Sequence, residues 1–244
     1  MISVITVCFN SAKTIRKTFE SMLAQTYQDF EYIIVDGGST DGTVDIIEEY
    51  LPRFSGKMSY QSEKDNGIYD AMNKGIGRCH GELIGIVNSD DWYEPDTLAT
   101  VAEAYSGKKY EIVYGMLRTF RDGKEYAIYF HHHDFLEIDI IPHPTCFITR
   151  AAYMDLGVYD TEHYRSSSDY ELLLRYFRSG KVTFTPVYKI LSNFVLGGMS
   201  SSNLGVIETA KLKKSLGLMS KKKYMITVTK AKLSDLIGNN WQSK

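Results

Sequence analysis

Asn88-Ser89-Asp90-Asp91 follows an apolar run at residues 83–87 and leads into Trp92, Tyr93 and Pro95. Adjacent carboxylates on a strand-to-loop turn are hard oxygen ligands, suited to Mg²⁺ or Mn²⁺ held jointly with phosphate oxygens. The same residues suit a helix N-cap, a role worth about 1 kcal/mol and common before any helix. Asp36-Gly37-Gly38-Ser39-Thr40-Asp41-Gly42-Thr43 forms a second cluster, whose glycines let a backbone approach a ligand beside a helix N-terminus. It lacks the Gly-Lys-Ser/Thr ending of a Walker loop. The nearest approach to GxGxxG, Gly75 to Gly81, lies between a helix and a strand, the wrong order for an NAD site. Asp169 opens the run DYELLLRYFR, where a helix N-terminus favours its ionised form. It reads either as a general base or as a cap after Ser166-Ser167-Ser168.

The elements that must hold these groups follow from periodicity. Residues 3–9, 30–35, 57–62 and 83–87 read as strands; residues 44–51 and 68–76 read as helices. Between the first two strands, Ile15, Phe19, Met22 and Leu23 recur at helical spacing, with Asn10 and Ser11 as expected caps. Strands alternating with helices predict an α/β fold with a mostly parallel sheet and helices on both faces. Ligands then bind beyond the carboxyl ends of the strands. Asn10, Asp36, Asp65, Asp90 and Asp91 all fall there.

After about residue 110 the pattern changes. Residues 111–118 and 125–130 read as strands around Asp122-Gly123, residues 169–178 as an amphipathic helix, and residues 181–194 as strand. Gly197-Gly198 opens a glycine- and serine-rich loop to Ser202, either a segment that closes over ligand or an inert linker. The division expected is a body of 1–204, with halves 1–95 and 96–204, and a helical extension 205–244. That extension carries nine lysines against two acidic residues, a balance of +7; the first 204 residues hold 19 basic and 28 acidic groups, a balance of −9. An acidic body argues against nucleic acid, and a basic tail suits an anionic surface.

With 244 residues, 43% hydrophobic and 24% charged, the chain has the composition of a globular protein. No apolar run approaches the roughly 20 residues needed to span a bilayer. The opening MISVITVCFN has no basic segment ahead of its apolar run, so no secretory signal is expected. Three cysteines without a CxxC spacing predict neither disulfides nor a zinc knuckle, and a reducing cytoplasm as compartment. The triplet His131-His132-His133 is not expected to hold a metal, since neighbours on a strand point to opposite faces.

Taken in order, ITVCFN, YIIVDGGSTDGT, EKDNGIYDAMNKGI and GELIGIVNSDDWYEPDTL resemble the family 2 glycosyltransferases, inverting enzymes with the GT-A fold. The later runs IPHPTCF, GVYD and SDYE extend the likeness to about residues 1–200, and to the group building O-antigen, capsule or colanic-acid-type polysaccharide. The resemblance implies a nucleotide site at Thr6, Asp36, Asp65, Asn73 and Asp91, with Asp36 reading the base. It implies metal binding at Asp90, with Mg²⁺ or Mn²⁺ as cofactor, and catalysis by Asp169 as base. His143 would line the acceptor or diphosphate pocket. Three positions depart from the family pattern: Asn88 replaces the first Asp of Asp-x-Asp, Met72 an Arg, and Ser168 the Glu before the base. Lys74 or a tail lysine would then substitute for the missing Arg.

The function expected is inverting transfer of a sugar, from a UDP-linked donor to a saccharide or lipid-linked saccharide, at the inner face of the cell membrane. Peripheral membrane contact through 205–244 and a homodimer contact are the two uses foreseen for the tail. A nucleotidyltransferase is disfavoured because its Gly-rich N-terminal loop with Arg and Lys is absent. A catalytically inactive nucleotide-sugar-binding subunit is the alternative.

Overall fold

The computed structural model describes residues 1–197 and 203–236. All seven residues of β1 (Ile2–Cys8) are buried, as a central strand covered on both faces requires. It pairs in parallel with β2 (Phe30–Asp36) and β4 (Leu83–Ile86), and β2 pairs in parallel with β3 (Met58–Ser62). The register sets Cys8 opposite Asp36 and Asp36 opposite Ser62, so three strands finish on one line. The helices α1 (Ile15–Leu23), α2 (Thr43–Tyr50) and α3 (Ile68–Gly77) make the crossovers. Asn10 and Ser11 do not cap α1. The N-cap is Thr14, while Asn10 takes a positive φ of 50° and binds Thr40 N–H instead.

The second half contains β5 (Trp92–Tyr93), α4 (Thr97–Ala104), β6 (Glu111–Arg121), β7 (Lys124–Tyr129), β8 (Phe147–Thr149), α5 (Arg150–Leu156), α6 (Ser168–Ser179) and β9 (Thr183–Val195). The sheet runs β3-β2-β1-β4-β8-β6-β9-β5, with β7 beside β6. By length of ladder the pairing is mostly parallel, as expected, and the antiparallel pairs belong to this half. β6–β9 is parallel, but β4–β8, β6–β8, β6–β7 and β5–β9 are antiparallel. A tight turn suffices for an antiparallel pair, and Asp122 and Gly123, at φ 52° and 75°, supply it for β6–β7. The sheet is mixed.

Period-two alternation separates two cores. Ile5, Val7, Ile33 and Val35 pack with Met72 and Ile76 of α3 and Leu173 of α6. Val4, Tyr32 and Ile34 pack on the other face with Phe19 of α1 and Ile47 of α2. Both faces of the sheet are covered, and the α/β layering expected from the alternation is present.

The C-terminal helices α7 (Asn203–Ser215) and α8 (Lys221–Leu236) follow. Ala210 and Leu212 of α7 are buried, Leu212 within the larger core. The apolar residues of the tail are divided: Leu212 is buried, whereas Met225 and Leu233 are exposed. Ile237 and the stretch 198–202 fall outside the described residues. No described helix is long and apolar enough to cross a membrane.

Candidate active site

The loops after β1, β3 and β4 surround a cleft of about 530 Å³, lined by Phe9, Ser11, Asp65, Asn88 and Asp90, among others. The strand ends create it, because the backbone leaves the sheet there and side chains converge from separate loops. Ser11 and Ser89 join across it through their hydroxyls at 2.7 Å. Thr18 of α1 donates to Asp91 O at 2.7 Å and fixes the 88–91 turn from below.

Asp90 is half-buried. Among the described residues its carboxylate takes no side-chain hydrogen bond, and burial pushes its pKa up. Asn88 donates through Nδ2 to Asp91 Oδ2 at 3.3 Å, which leaves its Oδ1 buried without a partner. Two hard oxygen donors at the cleft wall, one of them an orphaned acceptor, fit Mg²⁺ or Mn²⁺ completed by diphosphate oxygens. A cation there also restores the ionised state that burial disfavours.

Asp91, expected beside the nucleotide, is fully buried. It accepts Val195 N–H at 3.1 Å and the Asn88 amide, and burial followed by the charge of Asp90 drives its pKa well up. Its geometry is that of a clamp between the 88–91 turn and the end of β9. Thr6 is likewise fully buried, with Oγ1 shared between Tyr32 OH and Val87 O at 2.8 Å each. Asn73 spans α3 and the 157–160 loop, pairing both amide ends with the Tyr159 backbone at 2.9 and 3.1 Å. None of the three is among the described residues lining the cleft, because each spends its polar atoms on the fold. The structure thus places these three expected nucleotide residues in the framework around the cleft rather than in its lining. Lys74 is also committed, to Glu63 at 3.0 Å and Asp70 at 3.4 Å.

Asp36 is fully buried at the end of β2 and accepts from Ser39 Oγ, Ser62 Oγ and the amides of Gly38 and Ser39. Burial opposes its charge, but these donors outweigh burial and hold its pKa below the ordinary value. Asp65 does line the cleft. Its Oδ1 accepts Gly67 N–H, and its Oδ2 lies where any Cβ at position 37 would come within 2.5 Å, so a side chain there would push this carboxylate aside.

Phe9 went unrecognised in the sequence. It is 62% exposed at the cleft, a large aromatic face left in water. The available signal was an aromatic immediately after a wholly buried strand.

Asp169, the expected base, is the second residue of α6 and accepts from Tyr69 OH at 2.9 Å. Tyr69 neighbours Ile68, which lines the cleft, so α3 links Asp169 to the donor side. Tyr69 stacks on Tyr159 at 5.4 Å, and Tyr159 OH meets His143 Nε2 at 2.6 Å. Burial depresses the pKa of His143 and the charge of Asp169 partly offsets it. His143 is therefore a buried neutral partner of Tyr159. Glu208 of α7, also missed, accepts the amides of Arg165, Ser166 and Ser167, which precede α6.

Elsewhere, His132, His133 and Asp134 bring ligand atoms within 4.8 Å of one another, in a 3₁₀ turn rather than the strand foreseen. His133 Nδ1 is already paired with Tyr114 OH at 2.8 Å. The three cysteines are free and buried, and burial pushes the Cys79 thiol up to about 12.

The profile described as Glycosyl transferase family 2 matches residues 3–181. A PGL/p-HBAD biosynthesis glycosyltransferase of Mycobacterium bovis (strain BCG / Pasteur 1173P2) is 31% identical over 210 residues, covering 83% of this chain and 80% of the relative. S. aureus TarS 1-349 in complex with UDP-GlcNAc superposes with a TM-score of 0.70 at 19% identity, over 93% of this chain and 69% of that one. The mannosyltransferase PcManGT from Pyrobaculum calidifontis, in complex with GDP-Man and Mn²⁺, gives 0.66 at 16% identity, over 96% and 69%. At such identities the two structures establish the fold, which is GT-A. The profile and the mycobacterial relative show more than the fold: the chain belongs to glycosyl transferase family 2.

Proposed function

We propose that the protein transfers a sugar with inversion, from a UDP-linked donor to a saccharide or lipid-linked saccharide in cell-surface polysaccharide biosynthesis. The observation that carries this reading is that α3 connects two groups. Asp90 and the Asn88 oxygen stand at the cleft, and Asp169 is held from the same helix whose first residue lines that cleft. TarS binds UDP-GlcNAc and PcManGT binds GDP-Man with Mn²⁺, which supports a nucleotide-sugar donor with a divalent cation here.

In this reading Phe9 and Asp65 flank the nucleotide, and Asp36 shapes the turn that holds Asp65 in place. Asp90 and Asn88 Oδ1 hold Mg²⁺ or Mn²⁺, which when bound neutralises the departing nucleoside diphosphate. Asp169 accepts the proton of the acceptor hydroxyl as that oxygen bonds the anomeric carbon and the bond to the diphosphate breaks. Tyr69, donating to Asp169 Oδ1, fixes the orientation of the carboxylate. On α8, Met225, Ile226 and Leu233 stand exposed beside Lys222 and Lys232, a surface suited to an anionic membrane.

One observation favours a second reading. Ser168, where the family usually has Glu, is buried with its hydroxyl unpaired, so an inactive nucleotide-sugar-binding subunit is the alternative. Release of UDP from UDP-GlcNAc, UDP-glucose or UDP-galactose with Mn²⁺ separates the two. Slow release supports the transferase; Mn²⁺-dependent UDP binding without release supports the binding subunit.

A further inference from the structure

The connection from β7 to β8 carries His131, His132 and His133, whose rings a strand would send to alternate faces. It is not a strand. His132 caps a 3₁₀ turn over His133–Phe135, and the rings of His132 and His133 lie 4.1 Å apart between centroids, tilted by 33°. Asp134 reaches both, with Oδ2 3.1 Å from His132 Nδ1 and Oδ1 3.7 Å from His133 Nε2. His133 is the fixed member. Tyr114, fully buried, accepts its backbone N–H at 3.1 Å and meets its Nδ1 at 2.8 Å, and Phe184 stacks on its ring at 5.2 Å. His131 stands apart, its Nδ1 paired with Ile140 O at 2.9 Å.

One of these contacts is unfavourable as it stands. His132 Nδ1 accepts the Asp134 N–H at 3.4 Å, so its lone pair is turned toward the residue whose carboxylate oxygen stands 3.1 Å away. Two acceptors at that distance repel, and a positive centre between them removes the conflict. A proton on His132 would serve one carboxylate oxygen only. His133 Nε2, at 3.7 Å, is too far for a hydrogen bond to the other, and protonating both rings would set like charges on neighbouring imidazoles. A single divalent ion answers all three groups. His133 offers Nε2 to it, since a ring nitrogen held by Tyr114 on one side orients the other toward a metal. Two nitrogens and one oxygen form a borderline donor set, which favours Zn²⁺ over Mg²⁺ or Mn²⁺, the reverse of the oxygen pair at the 88–91 turn. Tetrahedral Zn²⁺ needs ligand atoms about 3.3 Å apart. They now lie within 4.8 Å, and Asp134, the exposed member, can rotate to close the gap.

We propose that His132, His133 and Asp134 bind Zn²⁺, with a fourth position left to water, at a site separate from the donor cleft. Bound zinc fastens the segment between β7 and β8. That segment meets α6 through Tyr170, which donates to Leu136 O at 2.8 Å, so the ion steadies the packing of the helix that carries Asp169.

Calorimetry with ZnCl₂ on the full chain tests it, with UDP and Mg²⁺ in excess to fill the donor cleft. Zn²⁺ should bind and raise the melting temperature, and one equivalent should still bind after Asp90→Ala. Co²⁺ in its place should give the visible absorption of a four-coordinate ion. His132→Ala and Asp134→Asn, neither of them buried, should each weaken Zn²⁺ by more than about tenfold, with the metal-free melting temperature level. His131→Ala should leave the affinity unchanged. Four outcomes overturn the proposal. Zn²⁺ does not bind, or it binds indifferently to both variants. Loss of all binding in Asp90→Ala assigns the ion to the donor cleft, and equal weakening by His131→Ala reduces the site to adventitious affinity of a histidine run.

Discussion

The turns after β2 and β4 begin alike, each with an aspartate at the carboxyl end of a parallel strand, and end in opposite states. Asp36 is surrounded by two hydroxyls and two amides that keep it ionised. Asp90, two strands away, has burial offset only by its own backbone amide. The fold has spent one carboxylate on itself and left the other in deficit. A deficit at a cleft wall is a place for a ligand, and Asn88 Oδ1, buried and unpaired, adds to it. Residue type and strand-end position are thus shared by structural and functional aspartates. The difference lies in who supplies the hydrogen bonds.

The largest effect expected is at Asp169, which belongs to neither turn and so tests whether the deficit concerns binding alone. Asp169→Asn should lower UDP-sugar turnover by about two to four orders of magnitude, with UDP and Mn²⁺ affinity unchanged by calorimetry. Turnover within a few-fold of the parent would move the base elsewhere, Glu171 being the next candidate.

Asp90→Ala should lower turnover by about two to three orders of magnitude and remove Mn²⁺-dependent UDP binding. Its melting temperature should stay level or rise, because an uncompensated buried charge is lost. Unchanged UDP affinity would break the comparison at its functional end.

The reverse pattern is expected at Asp36. Asp36→Ala strands four donors in a buried turn and should cost about 3 kcal/mol in denaturant unfolding. The depressed pKa gives the sign. Asp36 contributes stability above the unfolded value of about 3.9, lost as pH falls through the lower folded value. Asp36→Ala should therefore also flatten the acid limb of stability against pH. A neutral effect on stability would mean that the turn does not depend on its aspartate.

A smaller effect belongs to His143, whose folded pKa is depressed. Its contribution to stability is complete above the unfolded value of about 6.5 and disappears as pH falls through the folded value. His143→Gln should remove that slope below about pH 6.5. A slope unaltered in the variant would assign it to another group.

The weakest expected effect is at the membrane. Met225→Ser with Leu233→Ser should reduce sedimentation with anionic vesicles several-fold at low salt. Equal sedimentation would assign that exposed face to a protein contact.

The first four strands, their crossover helices and the oxygen-rich turn at 88–91 were legible in the sequence. Buried parallel strands are continuous apolar runs, and their turns are written in Asp, Gly and Ser, so local composition reports them directly. The second half was harder to read. β8 is three residues long and β5 two, too short for any period, and they exist only because β4, β6 and β9 offer edges. The site shows the same division. The sequence alone determined the family, the sheet-end location of the site and the candidacy of Asp90 and Asp169. Only the tertiary structure decided that Thr6, Asn73 and Asp91 make their hydrogen bonds within the fold, that Phe9 faces the cleft, and that Glu208 ties the tail to the helix of Asp169. The reason is one of range. A carboxylate is a ligand or a clamp according to the donors that reach it, and here those donors come from up to 104 residues away, as Val195 does to Asp91.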